Sequence, residues 1–203
     1  MKAWMSVVAV AGLSMALAGA AAAAPTIVLP RPGQVGFSVG GGYGTLLKGG
    51  EFGDEFSSGG SLAIRAKYRM RYERAIGVSF ERQGFSPRDP QPPDSLFAPV
   101  SLTLQTASFE IYQMFGTRTR TVRMLSAGLG LVMASQKLRD GEEKLGGSAT
   151  GDGLALSVGA GVERFLWQSW ALDLSTRYYA IFHQSAINSD FQVSAGLCFY
   201  AGY

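Results

Sequence analysis

The sequence predicts an all-β fold: an eight-stranded antiparallel up-and-down transmembrane β-barrel, preceded by a cleaved signal peptide. Three observations carry this expectation. A leader of secretory type opens the chain. Behind it, about eight segments of alternating hydrophobicity are joined by turns that are short, then long, then short again. Within those segments the charges gather on one face, while the other face is aliphatic or aromatic for most of its length. The last segment shows the pattern best: Phe191, Val193, Ala195, Leu197, Phe199, Ala201 and Tyr203 share one face, and Gln192, Ser194, Gly196, Cys198, Tyr200 and Gly202 the other. Such a strand needs an apolar surrounding on one side only, as at the wall between lipid and a polar, side-chain-filled lumen.

Residues 1–23 read as the signal peptide. Lys2 is their single charge, an apolar run extends from Val7 through Leu17, and the small residues from Ala18 onward supply a cleavage zone. A retained membrane anchor is the competing reading, but the tract ends in Ala and Gly rather than Leu and lacks a basic stop-transfer flank. Residues 24–33, with Pro25, Pro30 and Pro32, form a periplasmic lead-in, and residues 34–203 form the barrel. A chain of 203 residues suits one domain. Its lone cysteine, Cys198, has no intramolecular disulfide partner, and a closed barrel needs no such staple. With 18 Lys and Arg against 15 Asp and Glu, the charge balance is too even to point to nucleic acid.

The first strand, 34–45, sets Val35, Phe37, Val39 and Tyr43 on one face. A Gly-rich acidic connection over 48–60 is expected to be a flexible loop. The second strand, 61–71, points Leu62, Ile64, Ala66, Tyr68 and Met70 outward and Arg65, Lys67 and Arg69 inward. A tight turn at Tyr72, Glu73 and Arg74 leads into the third, with Ile76, Val78 and Phe80 outward. A three-residue turn there sets Arg65 opposite Glu81. The proline-rich stretch 86–99 is a stiff loop. The fourth strand runs to Phe115, with Ala107, Phe109 and Ile111 outward and Glu110 and Tyr112 inward, although Leu102 and Leu104 fit the inward face. After a turn at 116–120, the fifth strand alternates Leu125, Ala127, Leu129, Leu131 and Met133 with Ser126, Gly128 and Gly130, glycines that leave room for long side chains across the lumen. A polar loop, 137–152, precedes the sixth strand, where Leu154, Leu156, Val158, Ala160 and Val162 oppose Glu163 and small residues. The turn 165–169 leads to the seventh strand, with Asp173, Ser175, Arg177 and Tyr179 inward. The last long loop is expected at 183–190.

The inward faces thus hold Arg65, Lys67, Arg69 and Arg177 together with Glu81, Glu110, Glu163 and Asp173, four of each sign. Balanced charge predicts salt bridges that fill a narrow interior. A soluble barrel with the apolar face turned inward would show the same alternation. Two features favour the membrane: strands long enough to cross a tilted bilayer, and aromatics at the segment ends, namely Tyr72, Phe115, Phe165, Trp167, Trp170 and Tyr203.

The leader, the turn order and the final strand FQVSAGLCFYAGY resemble the small outer-membrane β-barrel family of the OmpA/OmpX type. The resemblance covers essentially the whole mature chain. It implies residence in the cell outer membrane, contact with outer-membrane lipids including lipopolysaccharide, and insertion by the barrel-assembly machinery. In that family a terminal aromatic on the last strand is part of the assembly signal, which corresponds to Tyr203, with Phe199 on the same face. Ala201 and Gly202 depart from the pattern, which usually has a second large residue there.

The four long loops hold ten acids and five bases, and the short turns hold six bases (Arg71, Arg74, Arg118, Arg120, Arg123 and Arg164) against Glu73 alone. Arginines at strand ends are long enough to reach lipid phosphates. His183 and Ser185 form a His-x-Ser pair that locally resembles barrel enzymes acting on lipid A, but no carboxylate follows Asp190 in the last strand to complete the set. No metal-ligand cluster, phosphate-binding loop or nucleophile elbow is present, so neither catalysis nor a cofactor is expected. The reading is a structural or surface-interaction protein. A lipid A-modifying enzyme and a narrow solute or ion channel are the alternatives.

Overall fold

Side chains alternate across a strand, so a sheet with one apolar and one charged face must either bury a face against another layer or close on itself. This chain closes. The computed structural model describes residues 31–88, 99–138, 151–183 and 186–201. It contains β1 (Val35–Leu46), β2 (Ser58–Arg71), β3 (Arg74–Phe85), β4 (Pro99–Phe115), β5 (Thr121–Leu138), β6 (Gly151–Phe165), β7 (Trp170–His183) and β8 (Ala186–Ala201), with one short helix, α1 (Glu51–Glu55). Each strand pairs with its sequence neighbours, and β1 pairs antiparallel with β8 from Val35↔Ala201 to Leu46↔Asp190. The barrel therefore has no free edge, and its backbone donors and acceptors are satisfied between strands, the condition for crossing a bilayer as sheet. At the closing seam Gly40 lies directly opposite Gly196, and a Cβ on either would come within about 3 Å of the other's Cα, so this approach requires glycine.

The facial division follows the sequence pattern. Leu62, Leu131 and Val39 stand 67, 65 and 63 % exposed on the outside, and Glu110 and Glu163 are 0 % exposed within. Leu102 and Leu104 are buried inside, on the face of Glu110 and Tyr112.

Three local expectations need correction. The acidic connection is not a flexible loop over 48–60, because α1 forms within it and β2 already begins at Ser58. The β2–β3 turn is shorter than three residues: Arg71 pairs with Arg74 and the register shifts between Arg69 and Arg71, so Arg65 faces Ser79 while Ala63 faces Glu81. The shorter turn and the one-residue bulge together move the pairing by two residues from the expected register, so every side chain keeps its face. The expected loop 183–190 is mostly strand, since His183 pairs with Ala186 and Asp190 with Tyr179. The expected leader 1–23, most of the lead-in, Ser185 and Tyr203 lie outside the described residues.

Candidate functional site

The lumen is filled in layers. Toward the long-loop end, Leu46, Phe52, Phe56, Phe85, Leu102, Leu104, Val132, Ala134, Ala155, Tyr179 and Ile181 form one apolar cluster. Toward the short-turn end, Ala75, Tyr112, Met114, Val122, Met124, Phe165, Ala171, Cys198 and Tyr200 form another. The eight charged residues foreseen in the sequence lie between these clusters and reach into the lower one, all of them buried.

Their pairing is mostly across the barrel. Glu163 and Asp173 stand directly opposite each other on β6 and β7, an arrangement that two like charges disfavour. Lys67 resolves it from β2, with its Nζ bound to Glu163 and 3.3 Å from Asp173 Oδ2. Glu163 also accepts from Arg69 Nη2 at 3.4 Å and from the Tyr200 hydroxyl at 2.6 Å. Arg177 on β7 grips Glu110 on β4 through both guanidinium Nη atoms, Nη2 donating to Oε2 at 2.9 Å, and Tyr112 and Ser79 donate to the same carboxylate. A fork to a carboxylate is the strongest ordinary pairing a side chain offers. Arg65 donates to Glu81 Oε1 from Nη2 at 2.6 Å and Nε at 3.1 Å. The contact runs diagonally, because the two residues are two places out of direct register. Tyr179 closes the set across the lumen, its hydroxyl donating to Glu81 Oε2 at 2.7 Å.

Space for these groups comes from small residues opposite them. A Cβ on Gly128 would lie 3.2 Å from Glu110 Cγ, so that glycine marks the place the carboxylate side chain occupies. Among the charges remains a cavity of about 10 Å³, lined by Arg65, Lys67, Tyr112, Asp173 and Arg177 among others. It is room for a single water.

The long-loop mouth is stoppered by the first connection. Phe52 and Phe56 lie one helical turn apart in and just after α1, on the same side, and both are buried in the upper cluster. The Phe52 amide donates to Asn188 Oδ1 at 2.8 Å, and its ring centroid is 5.1 Å from that of His183. Arg88, arriving from β3, donates Nη2 to the carbonyls of Leu46, Gly53 and Phe56 at 3.3, 3.0 and 3.2 Å. The helix is thus pinned to β8 on one side and to the start of the next loop on the other.

Placement of the remaining sequence candidates differs from expectation in several ways. Phe165 does not join an interfacial belt; it points inward, 2 % exposed, and its ring packs 5.5 Å from Tyr200. Its side of the strand is the face of Glu163, as the alternation of β6 requires. Trp170 and Phe199 do face outward, with ring centroids 5.1 Å apart. Asp190 is not a loop charge but a lumen-facing residue, 0 % exposed. His183 is 3 % exposed beneath the α1 stopper. The sequence places Tyr179 inward but does not pair it with Glu81, and it does not point to the Arg88 anchor or the α1 stopper. The signal for the last was the pair Phe52 and Phe56, spaced by four within an otherwise polar, Gly-rich run.

Comparison with known proteins matches this architecture. A family model described as outer membrane protein beta-barrel domain matches residues 8–199. No curated protein gives a significant sequence match. The solved structure of Neisserial surface protein A (NspA) is similar at 18 % identity and a TM-score of 0.59, over 84 % of this chain and 98 % of that one. OprG from Pseudomonas aeruginosa is similar at 13 % identity and 0.58, over 87 and 100 %. Ail, the attachment invasion locus protein of Yersinia pestis, solved with the heparin analogue sucrose octasulfate, is similar at 16 % and 0.53, over 83 and 99 %. At these identities the likeness is one of fold. Given a closed eight-stranded barrel and a family match over nearly its whole length, the chain belongs to the outer membrane protein β-barrel domain family and is a protein of the outer membrane.

Proposed function

We propose that this barrel is a sealed, non-catalytic element of the outer membrane whose long-loop side meets partners outside the cell and whose short turns face the periplasm. The observation that carries the reading is the filled lumen: two apolar clusters enclose a ring of ion pairs, and α1 stoppers the mouth. Phe56 at one end and Met114, Val122 and Cys198 at the other are fully buried, which supports a closed interior. His183, the histidine on which a lipid A-modifying reading rests, lies beneath the stopper with its ring against Phe52, which favours a packing role. The outward apolar band is the surface for outer-membrane lipids, lipopolysaccharide among them, and the terminal aromatic Tyr203 with Phe199 serves the assembly machinery during insertion.

Planar-bilayer recording of the purified, refolded protein tests the sealed lumen. The expected trace shows no stable conductance. A large, steady current would refute the reading and promote the channel alternative.

A further inference from the structure

The short-turn rim is not uniform. Around the β7 end it is aromatic, with Trp167, Trp170 and Phe199 exposed. Between the β2–β3 and β4–β5 turns it opens into a cleft of about 530 Å³ lined by Arg71, Tyr72, Glu73, Arg74, Gly116, Thr117, Arg118 and Thr119. Three arginines therefore face one acid, and none of the three forms an ion pair among the described residues, where the recorded salt bridges all lie in the lumen. The three exposed guanidiniums outnumber the one carboxylate of the lining, which gives the cleft a net positive charge suited to an anion.

The cleft is set in place by its own backbone. The Glu73 carbonyl accepts from the Met114 amide at 2.7 Å, which clamps the first turn onto β4. In the second turn the Thr119 amide donates to the Gly116 carbonyl at 3.0 Å, and the Thr119 hydroxyl lies 2.8 Å from both the Gly116 and Thr121 carbonyl oxygens. Immediately above, on the outward face, stand Met70, Ile111 and Phe115, each about half exposed. An anion bound here thus sits at the end of the apolar band, with a surface for acyl chains directly adjoining.

We propose that this cleft binds the phosphate of an anionic glycerophospholipid in the membrane leaflet on the short-turn side, with Arg71, Arg74 and Arg118 on the phosphate and the chains laid along Met70, Ile111 and Phe115. Guanidinium groups suit phosphate oxygens by geometry as well as charge. The site fixes the depth and orientation of the barrel at that leaflet.

Native mass spectrometry of the full chain refolded in detergent micelles tests this, with phosphatidylglycerol as the probe and phosphatidylcholine, whose phosphate is balanced by its own quaternary ammonium, as the zwitterionic comparison. The expected result is one phosphatidylglycerol retained per barrel, phosphatidylcholine not retained, and glycerol phosphate unable to displace the lipid. The combined variant Arg71→Gln, Arg74→Gln, Arg118→Gln should lower retention on the order of tenfold or more, and the equal-charge control Arg120→Gln, Arg123→Gln, Arg164→Gln should change it by less than about twofold. Heat-dependent electrophoretic mobility confirms that each variant is folded; if the triple is not, Arg118→Gln alone is expected to weaken retention. Equal loss in both triple variants would assign binding to the rim's overall charge and overturn the site. Equal retention of phosphatidylcholine, or displacement by glycerol phosphate, would overturn the lipid assignment.

Discussion

Replacing Glu163 by Gln keeps the shape of the side chain and an oxygen for the Tyr200 hydroxyl, but removes the charge that Lys67 and Arg69 share. The two cations are unequally affected. Lys67 retains Asp173 at 3.3 Å, whereas among the described residues Arg69, 0 % exposed, keeps only the Tyr200 hydroxyl at 3.4 Å and that ring's face, its Nε and Nη1 having no hydrogen-bond partner there. At the 3.4 Å separation of Arg69 Nη2 from Glu163, unit charges attract by about 5 kcal/mol at an effective dielectric of about 20. Measured losses on stranding one member of a buried pair are about 3 to 5 kcal/mol, and Glu163→Gln is expected within that range. In urea titrations of the barrel refolded into lipid vesicles, followed by tryptophan fluorescence, a slope of about 1 to 3 kcal/mol/M converts this to a midpoint lower by roughly 1 to 5 M. Adding Arg69→Met should restore part of the loss, since the stranded cation is then gone. A loss below about 1 kcal/mol, the scale of a solvated pair, would refute the reasoning and show that water reaches the lower lumen.

Removing the three-carbonyl anchor by Arg88→Ala should release α1 while leaving the barrel closed. Hydrogen exchange is expected to speed up at residues 52–56 but not in β4 or β5, and uniform protection would contradict the stopper's dependence on Arg88. Deleting Tyr203 should leave export intact and let unassembled protein accumulate in the periplasm; normal heat-modifiable barrel in that strain sinks the assembly role. An epitope tag near Gly147 should be accessible on intact cells and one at Thr119 should not. Labelling at Thr119 alone inverts the topology, and with it the side on which the arginine cleft lies.

Most of the wall was legible because a strand's period is set by covalent geometry. Once lipid is the outer solvent, the outward face must be apolar, and residues such as Leu129, Leu156 and Val193 announce it. The inward face is less constrained, since a lumen can be lined with either polar or apolar groups. Leu102 and Leu104 conflict with a simple rule of polar inside, and they fit once Phe52 and Phe56 of the α1 segment join them in one buried apolar cluster. The same ambiguity hid the end of β7 and the start of β8. Asn188, Ser189 and Asp190 have a loop's composition, yet Asn188 and Asp190 are ordinary lumen residues of a strand whose outward neighbours are Ile187 and Phe191. Facing was readable for Arg65 and Glu81, but register was not, because a bulge between Arg69 and Arg71 leaves no signal in the alternation.

The pairing pattern also bears on how the barrel closes. Lys67 and Glu163 are 96 residues apart in sequence, Arg177 and Glu110 67, and Tyr179 and Glu81 98, and none of these pairs joins adjacent strands. An open sheet can form every hairpin ladder of this fold and still satisfy none of these contacts. In such a sheet the β6–β7 hairpin holds Glu163 beside Asp173 with no cation between them, and β2 carries Lys67 and Arg69 on the face of Arg65, which alone of the three has its partner, Glu81, on the adjacent β3. Both strips repel internally until β2 swings across the lumen from β6 and β7. The long-range loop entropy and the desolvation of the charges are therefore met in the same step that pairs β1 with β8. Closure gains these cross-lumen pairs together, and a partly curled sheet gains little of them, which makes closure of the barrel cooperative.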